Sequence, residues 1–232
     1  YVGRENLETV ANSKNFNNWM YGEIFPALKG DILEIGSGKG TYSKRIIEDF
    51  PKSQITLTEI DVDYLKNLEK EFISKNVNVS KLDLNNKDDF EKIGYGKFDT
   101  IFGLNVLEHV KDDEFALSQL YKMLKDNGNL IILVPTHKFL FNVIDKNVGH
   151  WRRYTKKELD TKLKKANFKV KKIFSFNFLG IIGWYTNGNI CKNPQVNTSA
   201  TKIFDKIIPI EKHLEKLFRK KIGLSIISYS KK

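Results

Sequence analysis

The chain has 232 residues, 41% of them hydrophobic and 12% aromatic, enough to bury one sizeable core without covalent staples. Its single cysteine, Cys191, excludes an internal disulfide, and His109, His137, His150 and His213 are too scattered for a zinc motif. Lys and Arg number 39 against 28 Asp and Glu, a net charge of +11; this fits anionic partners, or simply lysines spread over solvated helix faces.

The opening residues lack the pattern of a secretory leader. Because the chain starts at Tyr1, the natural N-terminus can lie further upstream. The longest apolar run, Phe174 to Tyr185, is broken by Ser175, Asn177, Gly180 and Gly183 and is shorter than the roughly 20 residues a bilayer requires. A cytoplasmic location follows as the expectation, with a membrane-peripheral one beside it.

In chain order, Asn6 to Pro26 reads as an N-terminal helical cover. Ile32 to Ile35 is a strand and Thr41 to Phe50 a helix. Gln54 to Glu59 and Tyr64 to Ser74 repeat that pair, and Val77 to Leu82 is a third strand. Phe98 to Leu104 is a fourth, followed by a helix over Asp112 to Leu124. Asn127-Gly128 then ends that helix ahead of a fifth strand, Gly128 to Val134. Strands alternating with helices predict a parallel sheet covered on both faces. Beyond Pro135 the rhythm changes. Lys138 to Asn147 reads as loop plus short helix. Thr155 opens a helix with Glu158 completing a capping box, and the helix ends near Asn167. Phe168 to Phe176 is a sixth strand, and Gly223 to Ser230 the last. Between them, residues 177–221 form a long excursion with two helical patterns, the second kinked or split at Pro209. The whole reads as one domain: 1–29 the cover, 30–135 a cofactor-binding core, and 136–232 a substrate-side loop, helical lid and last strands.

The stretch Asp31-Ile-Leu-Glu-Ile-Gly-Ser-Gly-Lys-Gly-Thr41 runs a buried strand into three alternating glycines and then a helix. Such glycines let a ligand approach the backbone closely. Their spacing misses the dinucleotide fingerprint, and Gly40 stands where a phosphate-binding P-loop needs Ser or Thr after its lysine. Glu59 follows about 20 positions after the glycines, where an acid at a strand tip can accept ribose hydroxyls. At the third tip Asp83 can accept from an adenine amino group, with Leu84 packing the ring. Successive tips therefore converge on one edge of the sheet.

These residues resemble the class I S-adenosylmethionine-dependent methyltransferases, most strongly over residues 30–135. The stretch Leu33-Glu-Ile-Gly-Ser-Gly-Lys-Gly40 is similar to that family's first motif, Glu59 to its ribose acid and Asp83 to its adenine-side acid. The stretch Phe98 to Val110 is similar to its fourth-strand motif, of the type found in enzymes acting on small molecules. The resemblance implies a three-layer Rossmann-like sheet of seven strands, the last antiparallel and paired with Phe168 to Phe176. It implies S-adenosylmethionine as cofactor and S-adenosylhomocysteine as product. Glu34, Gly36, Ser37, Gly38, Gly40, Glu59, Ile60, Asp83, Leu84, Asn105 and Val106 would hold it. Gly149-His-Trp-Arg-Arg-Tyr154 resembles a GHxRRY segment of a bacterial subset associated with glycan and natural-product pathways.

Methyl transfer needs a nucleophile near the sulfonium methyl and, for a hydroxyl, an acceptor for its proton. His109 is one candidate base, against a packing role in the next helix, and His150 is the other. Glu108, Trp151, Arg152, Arg153 and Tyr154 are candidates for the acceptor side. The two arginines can clamp a carboxylate or phosphate; alternatively Arg152 or Arg153 pairs with Asp145 or Glu158 as a latch and Trp151 fills the core. Some quinone-pathway relatives hold a divalent ion beside a Glu-His pair with an extra acid. Asn105 stands at that acid here, so no metal site is expected.

The aromatic excursion, with Phe178, Trp184 and Tyr185, is expected to cover the site as a lid or to meet a membrane or lipid-linked acceptor. The favoured function is methyl transfer to an oxygen or nitrogen of a small-molecule or glycan acceptor. An RNA or DNA methyltransferase is the alternative prompted by charge. It is disfavoured because Asn105 is followed by Val-Leu-Glu rather than a Pro-Pro-aromatic run, and no nucleic-acid module is recognisable. A non-catalytic cofactor-binding scaffold and a nicotinamide oxidoreductase complete the alternatives.

Overall fold

The structure, a computed structural model, describes residue 9, residues 11–217 and residues 220–232. Residues 6–8 and 10 of the expected helical cover lie outside the described residues. Seven strands form one sheet: β1 (Ile32–Ile35), β2 (Ile55–Glu59), β3 (Val77–Lys81), β4 (Phe98–Leu104), β5 (Leu124–Pro135), β6 (Lys169–Phe176) and β7 (Ser225–Lys231). Their order is β3-β2-β1-β4-β5-β7-β6. Strands β1 to β5 run parallel, and β7 lies antiparallel between β5 and β6. The expected seven-stranded sheet with an antiparallel last strand is thus present. Its order reverses between β1 and β4, which opens a crevice at the carboxyl ends of those strands.

The central strands β1 and β2 are buried along their whole length, as parallel strands covered on both faces must be. At the edge, β6 exposes Lys169, Lys171 and Lys172; charges of this kind keep an unpaired edge from recruiting another strand. The helices are α1 (Lys14–Ile24), α2 (Ser43–Asp49), α3 (Val62–Phe72), α4 (Lys87–Ile93), α5 (Asp113–Met123), α6 (Val143–Val148), α7 (Lys156–Lys165), α8 (Gly180–Tyr185) and α9 (Thr198–Leu217). One apolar core forms where α5 and α7 cover Ile101, Leu130 and Ile132. The other lies where α1, α2, α3 and α9 cover Leu57, Phe102 and Leu133.

Three local expectations change. Helix α2 starts at Ser43, two residues late, because Thr41 and Tyr42 complete the turn out of the glycine loop. Helix α5 stops at Met123. Leu124 already pairs with Phe98, and the turn at Asn127 (φ 63°) and Gly128 is an irregularity inside β5 rather than a helix end. Finally, Pro209 neither splits nor ends α9. Proline has no N–H for the carbonyl four residues back. That carbonyl, on Asp205, instead accepts from the Asn15 side-chain amide at 3.0 Å.

This contact works in both directions. The Asp205 carboxylate accepts from the backbone N–H groups of Asn15 (3.3 Å) and Phe16 (2.9 Å). Ser13, at the N-cap of α1, provides no side-chain cap. A residue of α9 therefore caps α1, and Phe16 packs across the pair against Phe204, ring centres 6.2 Å apart, while Trp19 lies 4.2 Å from the Phe176 ring of β6.

Candidate functional site

The site is built on the carboxyl edge of β1, β2, β3 and β4. Strand β1 delivers Glu34, which is buried and accepts from the Ser43 hydroxyl at the start of α2. Burial pushes its carboxyl up to about 7. The chain then turns through Gly36 (φ 67°), Gly38 (φ 54°) and Gly40 (φ 73°). A Cβ on Gly36 would stand 2.7 Å from Val106, and one on Gly40 2.5 Å from Phe72. Glycine is thus required both by its left-handed backbone and by the closeness of its neighbours. An open groove of about 490 Å³ adjoins this bend on the α3 side, lined by Gly38, Lys39, Tyr64 and Asn67 among others.

Glu59, the last residue of β2, is buried beside the bend. One carboxylate oxygen accepts from the Gly38 N–H at 2.8 Å; the other accepts from the N–H groups of Ile60 (2.8 Å) and Asp61 (3.0 Å). The acid therefore ties the second strand tip to the glycine turn, and Ile60 lies exposed next to it. Asp83, past the tip of β3, is half-buried and accepts from the backbone N–H (2.9 Å) and side-chain amide (3.1 Å) of Asn85. Leu84 is buried in the core. Past β4, Asn105 turns the chain with φ 55° and is exposed. Val106 then packs onto Gly36.

The short 3-10 turn Leu107–His109 carries the second half of the site. Glu108 is fully buried, and among the described residues neither of its carboxylate oxygens is hydrogen-bonded to another residue, its own backbone N–H being the donor nearby. Burial pushes it up to about 7, against the pull of His150 and Arg153. His109 stacks edge-on against His150, ring centres 4.6 Å apart. Burial, with His150 adding to it, pushes His109 down to about 4 despite hydrogen bonds to the backbone of Gly149 and Val148.

His150 is placed by local sequence. Asn142 and Asp145 form a capping box at the start of α6, and Gly149 (φ 81°) closes that helix in the left-handed conformation. The chain leaves extended and bridges Thr136 to Tyr154 alongside the end of β5. Asp145 is the hub. Its Oδ1 accepts from His150 Nδ1 at 2.8 Å and from Arg153 Nε at 2.9 Å, and its Oδ2 accepts from the Asn142 N–H and from Trp184 Nε1. Burial alone would raise the Asp145 carboxyl, but the hydrogen bond from His150 and the Arg153 guanidinium hold it below the usual carboxylate range. His150 Nε2 is left facing Glu108, 3.8 Å from Oε1.

The expected acceptor-binding segment thus divides. Arg153 is buried, pairs with Asp145, donates to the Thr136 carbonyl and lies over the Trp184 ring. Tyr154 is buried and its hydroxyl donates to Asp113 at 2.7 Å. Arg152 pairs with Asp113 and donates to the Lys111 carbonyl. All three are engaged within the fold, which is the latch arrangement; two arginines clamping an acceptor anion is not the geometry found. Trp151, by contrast, is 56% exposed rather than in the core. The structure brings Glu108, His109 and His150 together from segments some forty residues apart in sequence.

Sequence reasoning named Asp145 as an arginine partner but missed its bonds to His150 and Trp184, although the Asn142-to-Asp145 spacing is a capping-box signal. It also missed Asp113 as the anchor of Tyr154, Arg152 and Lys162. Nothing local marks Trp184 as the partner of Asp145.

A seven-stranded sheet with a glycine bend, two strand-tip acids and an antiparallel last strand has the Rossmann-like methyltransferase fold. Comparisons agree. Residues 33–130 match the family model described as a methyltransferase domain. A crystal structure of a SAM-dependent methyltransferase from Archaeoglobus fulgidus is similar with a TM-score of 0.64 and 20% identity, covering 95% of each chain. "Probable polyketide synthase 42" of Dictyostelium discoideum is 36% identical over 47% of this chain and 5% of its own length. "Malonyl-[acyl-carrier protein] O-methyltransferase 1" of Ilyobacter polytropus is 26% identical over 60% of this chain and 53% of its own. The chain spans less than two thirds of either curated relative. Residues 33–130 are thus similar to a methyltransferase domain, and the fold is that of solved SAM-dependent methyltransferases.

Proposed function

We propose that this chain transfers the methyl group of S-adenosylmethionine to an oxygen or nitrogen of a small-molecule or glycan acceptor. One observation carries the reading: the glycine bend and the Glu59 and Asp83 tips share an edge with the Glu108, His109 and His150 cluster. The acceptor atom attacks the sulfonium methyl, the carbon–sulfur bond breaks, and S-adenosylhomocysteine leaves. His150, held by Asp145 with Nε2 turned inward, is the group best placed to take the acceptor's proton. Trp151 offers an apolar face beside that cluster. The exposed Ile182, Tyr185 and Ile190 on and after α8 favour a lipid-linked acceptor or contact with a membrane surface. Among the described residues, no helix is long and apolar enough to cross a membrane.

The test is transfer of labelled methyl from S-adenosylmethionine across a panel of hydroxyl and amino acceptors, glycans and lipid-linked sugars included. The His150→Ala variant should bind cofactor like the parent and lose transfer by about 10²- to 10⁴-fold, the usual worth of a general base. Full transfer by that variant would remove His150 from the chemistry. Preference for an RNA substrate would replace the acceptor class.

A further inference from the structure

Glu108 poses a problem that the fold itself leaves unsolved. A fully buried carboxylate hydrogen-bonded to no other described residue is costly, and the nearest cation-forming group, His150, is 3.8 Å away, beyond hydrogen-bond reach. The rest of the cluster is arranged around that orphan. One oxygen of Glu108 and one ring nitrogen each from His109 and His150 lie within 4.8 Å of one another.

His150 is also oriented in a particular sense. Its Nδ1–H donates to Asp145, itself buried and fixed by Arg153, Asn142 and Trp184. That bond fixes the tautomer and leaves the Nε2 lone pair facing Glu108. A carboxylate behind a histidine, with the far nitrogen turned into a shared space, is how metal-ligating histidines are held and made more basic. Two ligands on one ion, each at about 2.1 Å, stand roughly 3–4 Å apart, the range of the His150–Glu108 separation.

We propose that Glu108, His109 and His150 bind one divalent first-row transition ion. Two imidazole nitrogens with a single carboxylate select zinc, manganese or iron over magnesium or calcium, which prefer all-oxygen sets. The sequence reading discounts a metal because Asn105 replaces an acid. The third donor comes instead from the far side of the chain, where α6 and Gly149 deliver His150, while Asn105 is exposed at the turn. Three protein ligands leave coordination positions open. An ion there would hold an acceptor oxygen and make it more acidic, with the histidines as ligands, so the base role of His150 belongs to the ion-free site alone; that consequence rests on the methyltransferase reading, whereas binding of the ion does not.

The experiment is calorimetry of zinc chloride into EDTA-dialysed protein, with cobalt(II) absorption as a second readout and magnesium chloride as contrast. The expected result is one zinc per chain, a rise in melting temperature with zinc, and little response to magnesium. Glu108→Gln and His150→Ala should each weaken binding at least about 10-fold, and Asp145→Asn about 10- to 100-fold. His213→Ala, on the exposed outer side of α9, should leave zinc binding unchanged. Absence of saturable zinc binding would overturn the proposal. So would binding that survives both Glu108→Gln and His150→Ala, or that is lost in His213→Ala. Titration of S-adenosylhomocysteine into the same samples separates the two readings. Cofactor binding without zinc binding sinks only the metal site, and zinc binding without cofactor binding sinks only the methyltransferase assignment.

Discussion

Glu211 and Glu215 lie one turn apart on α9, are buried, and reach across to the start of α8. Glu215 accepts from the Phe178 N–H at 3.0 Å and Glu211 from the Leu179 N–H at 2.8 Å. Among the described residues, the second oxygen of each acid is buried without a hydrogen-bond partner. Burial is the main cause that pushes both up to about 7. The folded state then holds more protons than the unfolded one between the ordinary glutamate value and about 7. Stability from these groups is complete at low pH and declines as pH rises through that window. Replacing either with glutamine keeps the acceptor and removes the ionisation. Melting temperatures of Glu211→Gln and Glu215→Gln should therefore match the parent near pH 4.5 and exceed it at pH 8. An unchanged difference across that range would show that both glutamates are ionised at ordinary cost.

At the scale of elements, the two helices that close the second face of the sheet depend on one another. Helix α1 takes its cap from Asp205, and α9 tolerates Pro209 because Asn15 satisfies the carbonyl that proline leaves bare. Removing an N-cap acceptor costs about 1 kcal/mol. Asp205→Ala should lower unfolding stability by about that amount and speed amide exchange at Asn15 and Phe16, with exchange in β4 and β5 unaltered. Equal acceleration in the central strands would mean that the cap supports the whole sheet rather than the helix pair. A sharp stop at Pro209 follows from local rules alone. Its absence follows from a contact with a helix nearly two hundred residues earlier, which local rules do not contain.

For the whole molecule, what could be read from sequence divides along the same line. Strands with continuous apolar runs, such as Leu130 to Val134, and the Gly36-Gly38-Gly40 bend announce themselves because backbone geometry demands those residue types in place. The antiparallel pairing of β6 with β7 follows from the family resemblance rather than from periodicity. The partners of Glu59 and Tyr154 stay hidden, since hydrogen bonds across the fold leave no trace in spacing, whereas the Arg153–Asp145 pair is one of the latch pairings the sequence offers. The GHxRRY segment reads in sequence as either an acceptor clamp or a latch; in the structure Arg153 pairs with Asp145, Arg152 with Asp113, and His150 turns toward Glu108.

The central claim is that the glycine bend and the two strand-tip acids form the cofactor site. Calorimetry with S-adenosylhomocysteine on the parent chain, Gly38→Arg and Glu59→Ala tests it most directly. The account predicts saturable binding to the parent and no binding to Gly38→Arg. It predicts binding weakened by about 1–3 kcal/mol in Glu59→Ala, the worth of a hydrogen bond to a charged group. Equal affinity in all three proteins, or a parent that ignores S-adenosylhomocysteine and takes up NAD, would contradict it.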